Sequence, residues 1–388
     1  MEGYNGLQRV RTALEHREPD RVPFDLGGTA VTSINMHSLA RLRTHLGLQG
    51  KPELRDIVTQ IGWVGDDLIS ELGIDVMSVV PGDPKRPGLS KRLGVEDGYD
   101  RLIDEFGIGW RMPVAGGNYY DLYHSPLAAA ESVRDIENYP WPDALDEGRF
   151  AGIAKRAQAI TELHQKAFVC ERMSSGMWEH AMWLRGYEQF FADMLLDKQM
   201  VAAIMEKLLE IKMAYWGRYL DLVGDRALVM SCADDLGSTK GLLISLDLYK
   251  ELIWPYHKCL YEFIKKRARS RIYIFFHCDG AIYEALPLLI EAGVDIINPW
   301  QVNCAGMEDT RKFKKEFGKD LTIWGGTCDS SILEFGSPHE VAEETRRRMD
   351  DLAPGGGFIA APIHVVQGGV PPKNIMAWRD AIDRYGNY

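Results

Sequence analysis

Short continuous apolar runs alternate along this chain with longer stretches in which apolar positions recur at helical spacing. Leu7 to Glu15 has helical periodicity. Glu18-Pro-Asp-Arg-Val-Pro23 breaks it before a first strand-like piece, Phe24-Asp-Leu-Gly-Gly28. Amphipathic stretches near 36–46 and 64–72 lead to a second, Ile74-Asp-Val-Met-Ser-Val-Val-Pro81, which the proline closes. Further on the same rhythm resumes. Ala167-Phe-Val-Cys-Glu-Arg172 precedes helical sequence over roughly 176–222, and Ala227-Leu-Val-Met-Ser-Cys-Ala-Asp-Asp235 precedes more of it from 246 to 268. Then come Ile272-Tyr-Ile-Phe-Phe-His277, a helix from Ile282 to Ala292, Val294-Asp-Ile-Ile-Asn-Pro299 and a Lys- and Glu-rich helix near 307–317. Leu321-Thr-Ile-Trp-Gly-Gly326, a helix over 338–352 and Gly357-Phe-Ile-Ala-Ala-Pro-Ile-His364 complete the series.

These runs make eight strands with helices between most of them. Their near-continuous apolarity is what strands need when both faces are covered, so the expected fold is α/β, a single (β/α)8 TIM barrel. A doubly wound open sheet uses similar segments, but no G-x-G-x-x-G follows the first strand, and Gly355-Gly-Gly357 precedes a strand, where a turn suits it better than a phosphate cradle. Residues 82–150 depart from the alternation, being rich in Gly and Pro with aromatic pieces such as Phe106-Gly-Ile-Gly-Trp110 and Tyr119-Tyr120. They are expected to form an antiparallel excursion between the second and third strands, inside one domain spanning residues 1–388.

Composition narrows the function classes. A net charge of −11 disfavours nucleic acid and anionic lipid as partners, since binding to either rests on clustered Lys and Arg. The six cysteines are dispersed with no C-x-x-C pair, which fits free thiols in a reducing compartment. No apolar stretch approaches the roughly 20 residues needed to cross a bilayer, and Met1-Glu-Gly-Tyr-Asn-Gly6 lacks the basic and apolar segments of a signal peptide. A cytoplasmic location is expected.

Chemistry in such a barrel occupies the C-terminal rim of the strands, so strand-end residues are site candidates. Here they are Asp25, Glu171, Arg172, Asp234, Asp235, His277, Cys278, Asp279, Asn298, Trp300, Gln301, Cys328, His364 and Gln367. Imidazole, thiolate and carboxylate grouped there suit a divalent metal, zinc above all, held by His277, His364 and either Asp279 or Cys278. Strand alternation puts His277 and Asp279 on one face and Cys278 on the other, which favours Asp279. The plainer alternative makes the histidines hydrogen-bonded strand-end residues and the cysteines small core fillers. Asp234 and Asp235 are candidate catalytic carboxylates, one of them a general acid; their plainer role is a helix N-cap or loop turn. Trp300 and Gln301 are the candidate cofactor contacts, with Trp110, Trp178 and Trp324 as further rim aromatics.

Several segments resemble the uroporphyrinogen decarboxylase superfamily almost end to end: Leu14-Glu-His-Arg-Glu-Pro-Asp-Arg-Val-Pro23, Glu291-Ala-Gly-Val-Asp-Ile-Ile-Asn-Pro299, Trp324-Gly-Gly326, Pro354-Gly-Gly-Gly-Phe358 and Val370-Pro-Pro-Lys-Asn374. That resemblance implies a single (β/α)8 barrel. Its decarboxylase branch carries an Arg-Gln-Ala-Gly-Arg anion clamp after the first strand, where this chain reads Asp25-Leu-Gly-Gly-Thr-Ala-Val-Thr32 without an arginine. Its methyltransferase branch works with a corrinoid protein and binds zinc through His-x-Cys and a distant Cys. Here His277 matches the histidine, Asp279 stands at the first cysteine and His364 near the second, so oxygen and nitrogen replace sulfur. The resemblance therefore implies a corrinoid-dependent methyltransferase that activates a small O-methyl donor, such as an aryl methyl ether, rather than a thiol. The corrinoid is expected on a partner protein, because no D-x-H-x-x-G segment is present, and a homodimer is a further expectation. The alternatives are a decarboxylase-like lyase on another substrate and a non-catalytic barrel that binds a tetrapyrrole or other small ligand.

Overall fold

A computed structural model describes residues 3–86 and 88–388. Seven parallel strands form the central sheet: β1 (Val76–Val79), β2 (Ala167–Cys170), β3 (Val229–Ala233), β4 (Tyr273–His277), β5 (Ile296–Asn298), β6 (Thr322–Trp324) and β7 (Phe358–Ile359), hydrogen-bonded in that order. The segment Pro23–Asp25 closes the ring. Ala360 N donates to Pro23 O and Asp25 N to Ala360 O, each at 2.8 Å, while Asp75 N donates to Phe24 O at 2.8 Å on the other side. The expected first strand is thus reduced to a single parallel bridge between Phe24 and Ala360. Pro23 has no N–H to give, and Gly27 turns the chain at φ +96°.

Strand side chains sort by parity. Val76, Ala167, Val169, Val229, Tyr273, Phe275, Ile296, Trp324, Ile359 and Ala361 pack together inside the cylinder. Their alternates, among them Phe168, Met230, Ile274, Phe276, Ile297 and Ile323, pack outward against the helices. The helix α1 (Gly6–Leu14) contributes Val10, Ala13 and Leu14 to the interior cluster. It lies across the N-terminal ends of the strands: Leu7 N donates to Gln165 O and Gly357 N to Ala13 O. Arg9 and Arg21 both pair with Asp75, at 2.6 and 2.7 Å, which ties this plug to the start of β1.

The excursion is a four-stranded antiparallel sheet, Lys91–Glu96, Tyr99–Ile103, Gly109–Pro113 and Asp121–His124, paired in chain order between β1 and β2. The helical stretch expected over 176–222 is three helices, Met177–Arg185, Tyr187–Leu196 and Lys198–Val223. They break at Gly186, which sits at φ +84°, and at Asp197, whose side chain accepts from Met200 N and caps the last of them. The stretch expected over 246–268 divides at Ile253, just ahead of Pro255. A C-terminal helix, Pro372–Tyr385, packs against Pro338–Leu352 and was not among the expected elements. The final apolar run also differs from expectation: β7 stops at Ile359, so His364 stands on a loop beyond Pro362 rather than at a strand end. No helix among the described residues is long and apolar enough to cross a membrane.

Candidate metal centre at the mouth of the barrel

Ala233, His277 and Asn298 pair across neighbouring strands, so three interior positions on β3, β4 and β5 meet at one level of the mouth. His277 tops the inward column of Tyr273 and Phe275, which is why its ring faces the axis. Asp279 continues that parity, and the loop after β7 brings His364 over the same point. One ligand atom each from His277, Asp279 and His364 lie within 4.8 Å of one another. His277 Nε2 is 3.9 Å from Asp279 Oδ1 and His364 Nε2 is 3.6 Å from Asp279 Oδ2, with the two ring centroids 5.5 Å apart.

The spacing and chemistry of this triad fit a divalent cation. Ligands about 2.1 Å from a tetrahedral ion stand roughly 3.4 Å apart, so the three ligand atoms, within 4.8 Å of one another, would draw together around the ion. Burial depresses His277 to about 4, aided by His364 and Arg172, and partial burial lowers His364, a third of whose side chain stays exposed. Both rings are therefore neutral and offer lone pairs. Asp279 is fixed by Gln301, whose Nε2 donates to Oδ1 at 2.7 Å while its Oε1 accepts from Gly280 N at 2.7 Å. Burial and the neighbouring Asp235 charge push Asp279 up to about 6, against the pull of His277; a cation would draw it back down.

Asp235 stands beside the triad. Its Oδ1 accepts from Asp279 N at 2.8 Å and lies 4.0 Å from His277 Nε2. Burial raises its pKa despite that N–H and the nearby His364. Glu179, in the first turn of helix Met177–Arg185, accepts from Ser175 Oγ and is pushed well above the ordinary carboxylate range by burial and by the nearby charges of Asp235 and Asp234. Sequence reasoning missed Glu179 because it sits on a helix rather than a strand end; its place just after the β2 loop was the available signal.

Other candidates are spent elsewhere. Asp234 is fully buried and accepts from Trp178 N (2.9 Å), Glu179 N (2.8 Å) and His257 Nε2 (2.6 Å), so it caps a helix instead of facing substrate. Cys278 has the outward parity: its Sγ accepts from Leu236 N at 3.1 Å in the strand–helix layer, where burial drives the thiol well up, and it takes no part in the triad. Trp300 is also wholly buried, donating from Nε1 to Met307 O at 2.8 Å and packing on Phe313 with centroids 4.3 Å apart. Its ring belongs to the helix layer, not to a cofactor platform. Gln301 does reach the mouth, but through Asp279. Trp178 and Trp324 are likewise fully buried, and Cys328 lies in the strand–helix core.

Comparison with known proteins agrees with this architecture. The family profile described as uroporphyrinogen decarboxylase (URO-D) matches residues 122–385. Among solved structures, a methyltransferase from Methanosarcina mazei superposes with a TM-score of 0.67 at 15% identity, covering 98% of this chain and 99% of that one. At that identity the likeness speaks for the fold. Native xylanase 10B from Thermotoga maritima matches at a TM-score of 0.37 and 12% identity, over 60% of this chain and 79% of its own. The Penicillium canescens endo-1,4-beta-xylanase XylE gives 0.36 and 10%, over 62% and 79%. Neither similarity carries an argument. No curated protein matches the chain in sequence. With the URO-D profile covering well over half of a closed eight-position barrel, the chain belongs to the uroporphyrinogen decarboxylase family.

Proposed function

We propose that this protein transfers a methyl group from a small O-methyl donor to a corrinoid carried on a partner protein. The observation that carries the reading is the convergence of two neutral imidazoles and one carboxylate at the mouth, with no thiolate among them. The likeness in fold to a methyltransferase supports the same reading. A divalent ion, zinc by preference, held by His277, Asp279 and His364 would supply Lewis acidity to the donor oxygen. An oxygen and nitrogen shell suits an ether or alcohol better than a thiol.

The chain's own residues then have distinct tasks. His277 and His364 hold lone pairs toward the centre, and Gln301 keeps Asp279 oriented. In the transfer the methyl carbon forms a bond to cobalt(I) of the acceptor as the carbon–oxygen bond breaks, and the electron pair stays on oxygen. Asp235 or Glu179, both raised toward protonation by burial, supplies the proton that neutralises the leaving alkoxide or phenolate. Decarboxylation of a polyanionic tetrapyrrole fits poorly. Arg55, the guanidinium beside the Asp25–Thr32 turn, is already paired with Glu171 at 2.8 Å and bound to Gly27 O and Thr29 O.

The test is spectroscopic: conversion of cob(I)alamin to methylcobalamin by the zinc-loaded protein with aryl methyl ethers, methanol and methylamines. Turnover with an ether is the expected result; silence across the panel would overturn the reading.

A further inference from the structure

Arg172 stands apart from the other cations around the mouth. Arg55 is neutralised by Glu171, Arg185 by Asp193 at 2.7 Å, and Lys212 bonds Ser174 Oγ at 2.9 Å and Ser175 O. Arg172 lies two residues beyond the end of β2 and is only half-buried. Of the five N–H donors on its guanidinium, one is used among the described residues, by Ser231 Oγ at 2.8 Å. No carboxylate of the described residues comes within ion-pair distance of it. A guanidinium drawn partly out of water without a counter-ion is costly.

Its place relative to the triad follows from register. Ser231 pairs with Phe275, two residues before Ala233, which pairs with His277. The diagonal from Ser231 to His277 along the sheet is about 8 Å, from two residues of rise and one strand spacing. Arg172 therefore reaches the barrel interior within two residues and one strand of His277. Its charge reaches both rings and, beyond contact distance, Asp235 and Glu179: it is among the causes that lower His277 and His364 and that oppose the rise of the two carboxyls.

We propose that Arg172 anchors a carboxylate of the substrate, so that the methyl donor is a small organic monoanion with its ether at the triad end. A guanidinium with free donors in one plane matches a carboxylate by two parallel hydrogen bonds. A polyanion would meet Asp235 and Asp279 in the same mouth. The inference deepens the methyl-transfer reading and rests on it for the identity of the reacting group; the binding step can be measured without it.

The experiment is calorimetric titration of the zinc-loaded protein with 4-methoxybenzoate, benzoate and methoxyacetate, each against its neutral amide, for wild type, Arg172→Gln and Arg172→Lys. Wild type should bind at least one carboxylate roughly tenfold or more tighter than its amide, since hydrogen bonds to charged groups are the strong ones. Arg172→Gln should weaken that carboxylate by roughly 10- to 100-fold. It should leave amide binding unchanged, and Arg172→Lys should restore part of the loss. A purely structural role for Arg172 would weaken acid and amide alike. The proposal is overturned if no carboxylate in the panel outbinds its amide, or if the preference survives in Arg172→Gln. Should Arg172→Gln fail to fold, the wild-type preference and Arg172→Lys decide. Carboxylate preference without methylcobalamin formation keeps the anchor and removes the reaction; methyl transfer from neutral ethers without that preference does the reverse.

Discussion

Asn298 fixes which nitrogen of His277 carries its proton. The Asn298 side-chain oxygen sits 2.8 Å from His277 Nδ1, while its amide nitrogen donates to Trp324 O at 2.6 Å. A carbonyl accepts only, so the amide cannot be reversed. The imidazole must therefore donate through Nδ1 and present the Nε2 lone pair to Asp279 and His364. Asn298→Leu, close in volume, removes this orientation. Zinc affinity measured by chelator competition should fall by roughly 10- to 100-fold. Unchanged affinity would mean that the ring needs no such guide.

Loss of a ligand should cost more than loss of its support. His364 lies on a loop and keeps a third of its side-chain surface exposed, so His364→Ala should leave the unfolding midpoint nearly unchanged. Elemental analysis after dialysis should show the wild type with stoichiometric zinc and this variant nearly without. Methyl transfer should disappear with the metal. A metal-free variant that still turns over would separate the chemistry from the triad.

Acid should empty the centre with Asp279 taking up its proton before His277 does. Metal ligands bind as bases, so affinity falls when the most basic of them takes up a proton. Asp279 stands at about 6 and His277 at about 4 in the metal-free site. Zinc affinity should be flat well above pH 6 and decline as the pH drops through that value. Asp279→Asn should bind weakly and lack this step. An affinity that holds well below it would argue against Asp279 as a ligand.

Adjacent aspartates should answer mutation in opposite ways. Asp234 holds two helix N–H groups and His257 in a fully buried network. Asp234→Ala leaves all three without an acceptor and should cost about 3–5 kcal/mol in denaturant unfolding. Asp235→Asn keeps an acceptor for Asp279 N and should cost under about 1 kcal/mol, yet slow methyl transfer to the extent that Glu179 does not supply the proton. Equal stability losses for the two would show that Asp235 too is structural.

What the sequence made legible was what strand periodicity governs. Seven of the eight expected strands are present, and alternation separated His277 and Asp279 from Cys278 correctly as to direction. Alternation carries no information once the chain leaves the sheet. His364 reaches the triad from a loop, Trp300 turns into the helix layer just beyond β5, and Glu179 arrives on a helix. The two aspartates show the same limit, since their identical chemistry is divided by which one meets the helix N-terminus. The first strand shrank because a proline and a turning glycine bracket it, leaving too few N–H groups for a full ladder.

Helix α1 seals the lower end of the cylinder with Val10, Ala13 and Leu14. Whatever reacts above His277 must enter and leave by a single doorway, and in the proposed reaction a bulky carrier must cover that doorway to receive the methyl group. Small molecule and carrier therefore cannot arrive in arbitrary sequence: the donor loads first, the carrier closes over it, and the demethylated product waits for the carrier to depart.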